Sequence, residues 1–282
     1  MSPILQLTPS SPALRPFIES LWYFTGDLPH ARERILPTGT MQLLVNLHED
    51  EFRTYGGEDF ARVQRIRGAA ISGAYARPFG IDTDEQRCVV GVAFRPGGGA
   101  PFFGPPCDAL REDHVELERL WGHEGALLRE RLLEAPNPAA ALRTLESVLL
   151  RQVAHPLEVD KPVDFALGAL ERGAPVGRVT ERLGMTPKRF IRHFQTQVGI
   201  TPKRYARVRR FGRVLEAFEH GRAVNWSAVA ASCGYFDQAH LIHEFQEFSG
   251  MNPTHYQPRA TGDRNHALIR EQGGRSQSAD AQ

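Results

Sequence analysis

Lys188, Arg189, Arg192 and His193 lie close enough along the chain for one helix to present them together, and about fifty residues later Gln238, His240 and His243 take the corresponding places. Lys and Arg donors match guanine O6 and N7, and a Gln amide pairs bidentately with adenine. These two groups therefore carry the chemistry to read base edges in the major groove of double-stranded DNA. The same side chains also cover ordinary solvated helix faces. What separates the two readings is whether the elements presenting them are built twice to one plan.

The segment GMTPKRFIRHFQTQVGITPKRY (184–205) is answered by GYFDQAHLIHEFQEFSGMNPTHY (234–256). Gly184 pairs with Gly234 at an offset of 50; Phe194 with Phe245, Gly199 with Gly250, Pro202 with Pro253 and Tyr205 with Tyr256 follow at 51. In the first copy Val176, Val179 and Leu183 recur at helical spacing, and Gly184 stands where a helix ends at positive φ. Thr186-Pro187 restarts a helix, the hydroxyl capping free N–H groups and the proline filling a position that needs none. Phe190, Phe194 and Val198 form its inner stripe, Gly199 closes it, and Thr201-Pro202 opens a long helix to about Phe218 with Tyr205, Val208, Leu215 and Phe218 inward. In the second copy Trp226, Val229 and Cys233 form the stripe, Gly234 the turn and Asp237 the cap; Leu241, Phe245 and Phe248 face inward, and Asn252-Pro253 starts again after Gly250. Two short helices joined by a glycine turn make a helix-turn-helix, and the spacing predicts two, at about 176–198 and 226–249.

Residues 160–258 resemble the DNA-binding domain of AraC/XylS-type transcription regulators. In AVAASCGYFDQAHLIHEFQEFSGMNPTHYQ the pattern of glycine, aromatic, polar cap, Phe, Gly, Pro and Tyr is met in order, and GRVTERLGMTPKRFIRHFQTQVGITPKRY matches the first unit. Ile242, His243 and Gln257 depart from the residue types usual there, which bears on the bases read and not on the fold. The resemblance implies a sequence-specific DNA-binding regulator. Base reading then falls to Lys188, Arg189, Arg192, Gln238, His240 and His243, with the two recognition helices entering groove segments roughly 34 Å apart. Arg204, Arg207, Arg209, Arg210 and Arg213, on the long connecting helix, are candidates for phosphate contacts, which give affinity without sequence information.

Charge follows this division. Residues 1–159 carry 16 Arg and no Lys against 21 acidic residues, whereas residues 160–260 carry 15 basic against 9 acidic. The whole chain of 282 residues has a net charge of only +1. The basic excess coincides with the repeat, as phosphate binding requires.

Ahead of the repeat, the apolar run 17–24 and the stretches 32–36, 40–47, 63–73 and 86–96 alternate between turn residues, which predicts a compact antiparallel sheet of barrel or sandwich form, cupin-like in one version. Gly97, Gly98 and Gly99 lack a following Lys-Ser/Thr, so a close-packed loop is expected in place of a phosphate loop. From Val115 to Arg151, leucines at helical spacing on both sides of APNP (135–138) predict two antiparallel helices that cover the sheet or pair with a second subunit.

The fold class is therefore α+β, with a β-rich domain and helical hairpin over 1–154, a linker at 155–163, an all-α tandem helix-turn-helix domain over 164–259 and a disordered tail at 260–282. Residues 4–153 resemble, less closely, β-rich sensor regions that precede such DNA-binding domains, which implies a small-molecule effector. Trp22, Tyr23, Phe94, Phe102 and Phe103, with Arg95 as polar anchor, are the candidate pocket. The alternative is an N-terminal domain that only dimerises or recruits a partner.

Catalysis is not expected. His30, His48, His114, His123 and His155 show no H-x-H or H-E-x-x-H spacing, and G-x-S-x-G does not occur. Cys88, Cys107 and Cys233 show no C-x-x-C and predict reduced thiols. A methyl-acceptor repair protein would need a Pro-Cys-His-Arg nucleophile and four zinc-binding cysteines, and only three cysteines occur. No metal or cofactor, no membrane segment and a cytoplasmic location are expected, with double-stranded DNA as partner, homodimerisation as an option, and RNA polymerase as a partner if the protein activates.

Overall fold

The computed structural model describes residues 4–57, 60–218, 224–260 and 263–269. The chain opens with ten strands: β1 (Ile4–Leu7), β2 (Ile18–Thr25), β3 (Arg32–Ile35), β4 (Gln42–Asn46), β5 (Glu51–Gly56), β6 (Arg62–Arg67), β7 (Ala69–Ser72), β8 (Phe79–Asp82), β9 (Cys88–Phe94) and β10 (His114–Glu116). Three helices follow: α1 (Leu117–Trp121), α2 (His123–Leu133) and α3 (Pro138–Arg151). Six more complete the helical part: α4 (Lys161–Glu171), α5 (Val176–Leu183), α6 (Pro187–Val198), α7 (Pro202–Glu216), α8 (Trp226–Cys233) and α9 (Gln238–Ser249). Two last strands, β11 (Pro258–Ala260) and β12 (Asp263–Leu268), end the described chain.

The strands form two six-stranded antiparallel sheets, in the orders β1-β2-β9-β4-β7-β10 and β11-β12-β3-β8-β5-β6. Because side chains alternate along a strand, the first sheet has two different apolar faces. Leu21, Leu43, Val45, Ile71, Val90 and Val92 face the helices, where Leu128, Leu132, Leu142, Leu145 and Leu149 bury against them. Trp22, Leu44, Ala70 and Val89 face the second sheet with its Phe52 and Ile66. The leucine-striped helices thus cover the first sheet within the subunit. Gly97–Gly99 form the expected close-packed loop: a methyl group on Gly98 would lie 2.0 Å from Phe17 O.

Part of the expected disordered tail is ordered. Residues 263–268 are a strand, with His266 opposite Ile35, Ala267 opposite Arg34 and Leu268 opposite Glu33. Ala267 and Tyr256 are buried, so apolar contacts reward the order that a polar composition argued against. The remainder of the expected tail, from residue 270, lies outside the described residues. Helix α4 begins inside the stretch expected to be linker, because Asp160 Oδ1 accepts from Val163 N (2.9 Å) and Pro162 follows in the first turn, the same capping device as in the repeat.

Candidate nucleic-acid interface and inter-sheet cavity

Each helix-turn-helix is assembled by local chemistry. Thr186, Thr201, Asn225 and Asp237 accept hydrogen bonds from the third residue beyond them (3.4, 3.2, 3.1 and 2.7 Å), and Gly184, Gly199, Gly234 and Gly250 end the preceding helices at φ of 62, 93, 79 and 67°. Phe190, Phe194, Tyr205, Phe211, Phe245 and Phe248 are almost fully buried. Open space surrounds the Cβ position of Gly234, so Gly234→Val acts through backbone strain alone. We expect a loss of about 1–3 kcal/mol in a denaturant melt, with the second unit loosened and the first intact.

On the first unit Lys188, Arg189 and Arg192 project into solvent, and among the described residues their side chains have no hydrogen-bond or ion-pair partner. His193 is spent: its Nε2 lies 2.8 Å from Asp160 Oδ2, beside the α4 cap. On the second unit His243 is exposed, and Gln238, also exposed, accepts from Ser227 Oγ (3.0 Å). His240 stands edge-on to Tyr235 with ring centroids 5.2 Å apart. Sequence reasoning missed Phe236, which precedes the Asp237 cap with its side chain 92% exposed. The only signal was a second aromatic in Gly-Tyr-Phe-Asp that the inner stripe did not need.

The five arginines expected on phosphates sit elsewhere. Arg207 Nε and Arg210 Nη2 donate to Glu244 Oε2 at 2.8 and 2.6 Å, and Arg204 and Arg207 both donate to Glu247. Arg204 also donates to Ala76 O (2.7 Å), Arg209 pairs with Glu171 (3.1 Å), and Arg213 donates to Glu171 O (3.2 Å) and Cys233 O (3.4 Å). Burial pushes the Glu244 carboxyl up, but the bonds and charges of Arg210 and Arg207 and the Tyr235 hydroxyl outweigh it and hold its pKa below the usual carboxylate range. This side of α7 is a brace between the two units. Its charges are partnered because α7 crosses the acidic face of α9, a fact of tertiary packing. Lys203 stays exposed in the groove between the units, beside Arg207 and His243.

In the N-terminal half the candidate pocket is also corrected. Phe94, Phe102 and Phe103 are fully buried on the helix side of the first sheet, Phe103 stacked on Trp121 with centroids 5.7 Å apart. Arg95 is exposed and donates to Arg15 O (3.0 Å), and Tyr23 meets Cys88 Sγ (3.1 Å). Trp22 alone of the six faces a cavity, which lies between the sheets with about 90 Å³ of free space. The indole rests on Gly91, where a methyl group would come within 2.3 Å of the ring. Leu44, Phe52, Ala70, Phe79 and Ile81 supply apolar walls, and Gln42, Thr54, Ser72, Tyr75, His114 and Asn265 the polar ones. Tyr75 Oη is 2.7 Å from His114 Nδ1. Complete burial pushes the His114 pKa down to about 4, so the ring is neutral at physiological pH.

The C-terminal hairpin helps to close this cavity, since Asn265 and His266 line it. His266 Nδ1 lies 2.7 Å from the fully buried Glu33, whose carboxylate also takes His30 Nε2 (2.6 Å) and Arg259 Nη1 (3.1 Å). Arg34 Nη1, from the neighbouring position of β3, donates to Ser249 O (2.7 Å) at the end of α9. Among the described residues no three His, Cys, Asp or Glu side chains are placed to hold a metal ion. No helix among them is long and apolar enough to cross a membrane.

Residues 179–259 match a family described as a helix-turn-helix domain, and residues 6–116 match a domain of unknown function (DUF6597). No curated protein matches the sequence. Among solved structures, ToxT from Vibrio cholerae covers 83% of this chain and 95% of its own at 8% identity, with a TM-score of 0.44. A ToxT structure with unsaturated fatty acid bound covers 89% and 91% at 8% identity and 0.40. A DNA-binding transcriptional dual regulator from Escherichia coli K-12 covers 34% of this chain and 94% of its own at 22% identity and 0.27. With paired caps, glycine turns and inner stripes in place, the C-terminal third is a tandem helix-turn-helix domain of the AraC/XylS type, and the chain is a DNA-binding transcription regulator.

Proposed function

We propose that the protein reads DNA through Lys188, Arg189 and Arg192 of α6 and Gln238, His240 and His243 of α9, and that a small molecule in the inter-sheet cavity sets its activity. The observation that supports the first part is the open cationic start of α6, where three side chains have no partner among the described residues. Phe236 joins this interface as an apolar contact for a thymine methyl group or a sugar. Lys203 takes the phosphate role first given to the braced arginines.

Control by an effector is supported by β12, which follows the second DNA-reading unit in the chain and also lines the cavity. A ligand touching Asn265 or His266 would shift whichever arrangement of α9 it favours, by no more than its own difference in affinity between the two states. The protein acts in the cytoplasm without catalysis, and RNA polymerase is its further partner if it activates. A second reading, an N-terminal domain that only dimerises, draws on Leu133 and Leu150, which are 49% and 43% exposed.

Selection of bound sequences from a random DNA pool by the full-length protein tests the reading. Two half-elements about one helical turn apart are expected. Arg192→Ala should then lose about 1–3 kcal/mol of discrimination at one base position. An equal loss on every sequence would move Arg192 to the phosphate backbone.

A further inference from the structure

The cavity between the sheets is walled by side chains of one electrical character. Among the described residues, no Lys, Arg, Asp or Glu lines it. His266, which also lines it, is turned to acidic partners outside the cavity lining, with Nδ1 2.7 Å from Glu33 and Nε2 3.8 Å from Asp263. His114 is a neutral ring packed against Tyr75 and Phe79; its Nδ1 is engaged by Tyr75 Oη at 2.7 Å, which leaves Nε2 as its remaining hydrogen-bonding nitrogen. Around it stand polar groups with no side-chain partner among the described residues: the amides of Gln42 and Asn265 and the hydroxyls of Ser72 and Thr54. Trp22, Phe52, Phe79 and Leu44 supply flat apolar walls. A carboxylate or ammonium entering this space would give up its hydration with no opposite charge to replace it, whereas an amide, hydroxyl or ring N–H finds both donors and acceptors.

Resting on the effector reading above, we infer that the ligand of this cavity is a small uncharged molecule: a planar, largely apolar body with one hydrogen-bonding head directed at Tyr75, His114 and Gln42. Charge alone excludes organic acids and amines of the same shape.

Benzamide, benzoate and benzamidinium have nearly the same outline and carry charges of 0, −1 and +1 at pH 7.5. Titrating each into the full-length protein, with tryptophan fluorescence and the melting midpoint as readouts, tests the inference. Benzamide should bind saturably and at least tenfold more tightly than either charged analogue. Ala70→Leu, which fills the cavity, and Gln42→Leu, which removes a polar group and leaves the volume nearly unchanged, should each weaken benzamide by tenfold or more. A preference below tenfold overturns the inference, as does benzamide binding that neither substitution touches or the absence of benzamide binding to the folded protein. DNA affinity measured in the same titration keeps the two readings apart. If benzamide occupies the cavity and DNA affinity stays unchanged, the ligand class stands and effector control falls.

Discussion

Glu244→Ala is expected to lower stability by about 3–5 kcal/mol and to abolish DNA binding, although Glu244 is almost fully buried. The carboxylate holds Arg207, Arg210 and the Tyr235 hydroxyl (2.9 Å) at once. Deleting it leaves two guanidinium groups half-buried and poorly paired, and frees α7 from α9. Glu244→Gln keeps the volume and loses the charge, so it should fall between parent and Ala. Its acid profile carries the sign. Glu244 titrates below the ordinary carboxylate value of about 4.3, so its contribution is present in full above that value and fades as pH falls through the lowered one. The stability gap between parent and Glu244→Gln should be flat from pH 7 to 5 and close in more acid solution. A gap that widened on acidification would contradict the brace. Selective loss of DNA binding at unchanged stability would instead make Glu244 part of the interface.

The second large effect is expected at Glu33. Its side chain is completely buried, with His30, His266 and Arg259 gathered on it. Burial pushes this carboxyl up, and the hydrogen bond and charge of His266, the charge of Arg259 and the bond from His30 carry it below its usual value. Glu33→Ala should cost about 3–5 kcal/mol by the same uncompensated-charge argument. Two of the three partners, Arg259 and His266, belong to the C-terminal hairpin. Hydrogen exchange should therefore accelerate first in residues 263–268 and in β3, ahead of the helical domain. Uniform acceleration would show that Glu33 supports the whole fold and not that strand.

The helix-turn-helix units were legible because their determinants are local. A Thr-Pro start, a glycine stop and a stripe at positions such as 190, 194 and 198 are complete within one helix, and doubling at an offset of 51 turned a common pattern into a specific one. Glu51–Gly56 and Phe79–Asp82 were not expected as strands, since a short strand is defined by what pairs with it. The pocket was misplaced for a sharper reason. Trp22 and Tyr23 are neighbours in sequence and point to opposite faces of one sheet, and nothing in their types says which face meets helices and which meets the second sheet. The arginines of α7 pose the same problem: residues 204, 207 and 210 form a cationic stripe in the sequence, and only the crossing of α7 over α9 shows that Glu244 and Glu247 are waiting for it.

The return of β12 to β3 also governs the order in which the protein can be completed on the ribosome. When residues 1–160 have emerged, every strand of the second sheet except β11 and β12 is available, yet β3 presents an open row of N–H and C=O groups, and the Glu33 carboxylate lacks two of its three partners. An uncapped edge of this kind invites pairing with another chain. It is sealed only by residues translated after both DNA-reading units, so the nascent β-rich domain must stay unfinished, and in need of protection from its neighbours, until residues 258–268 have been made.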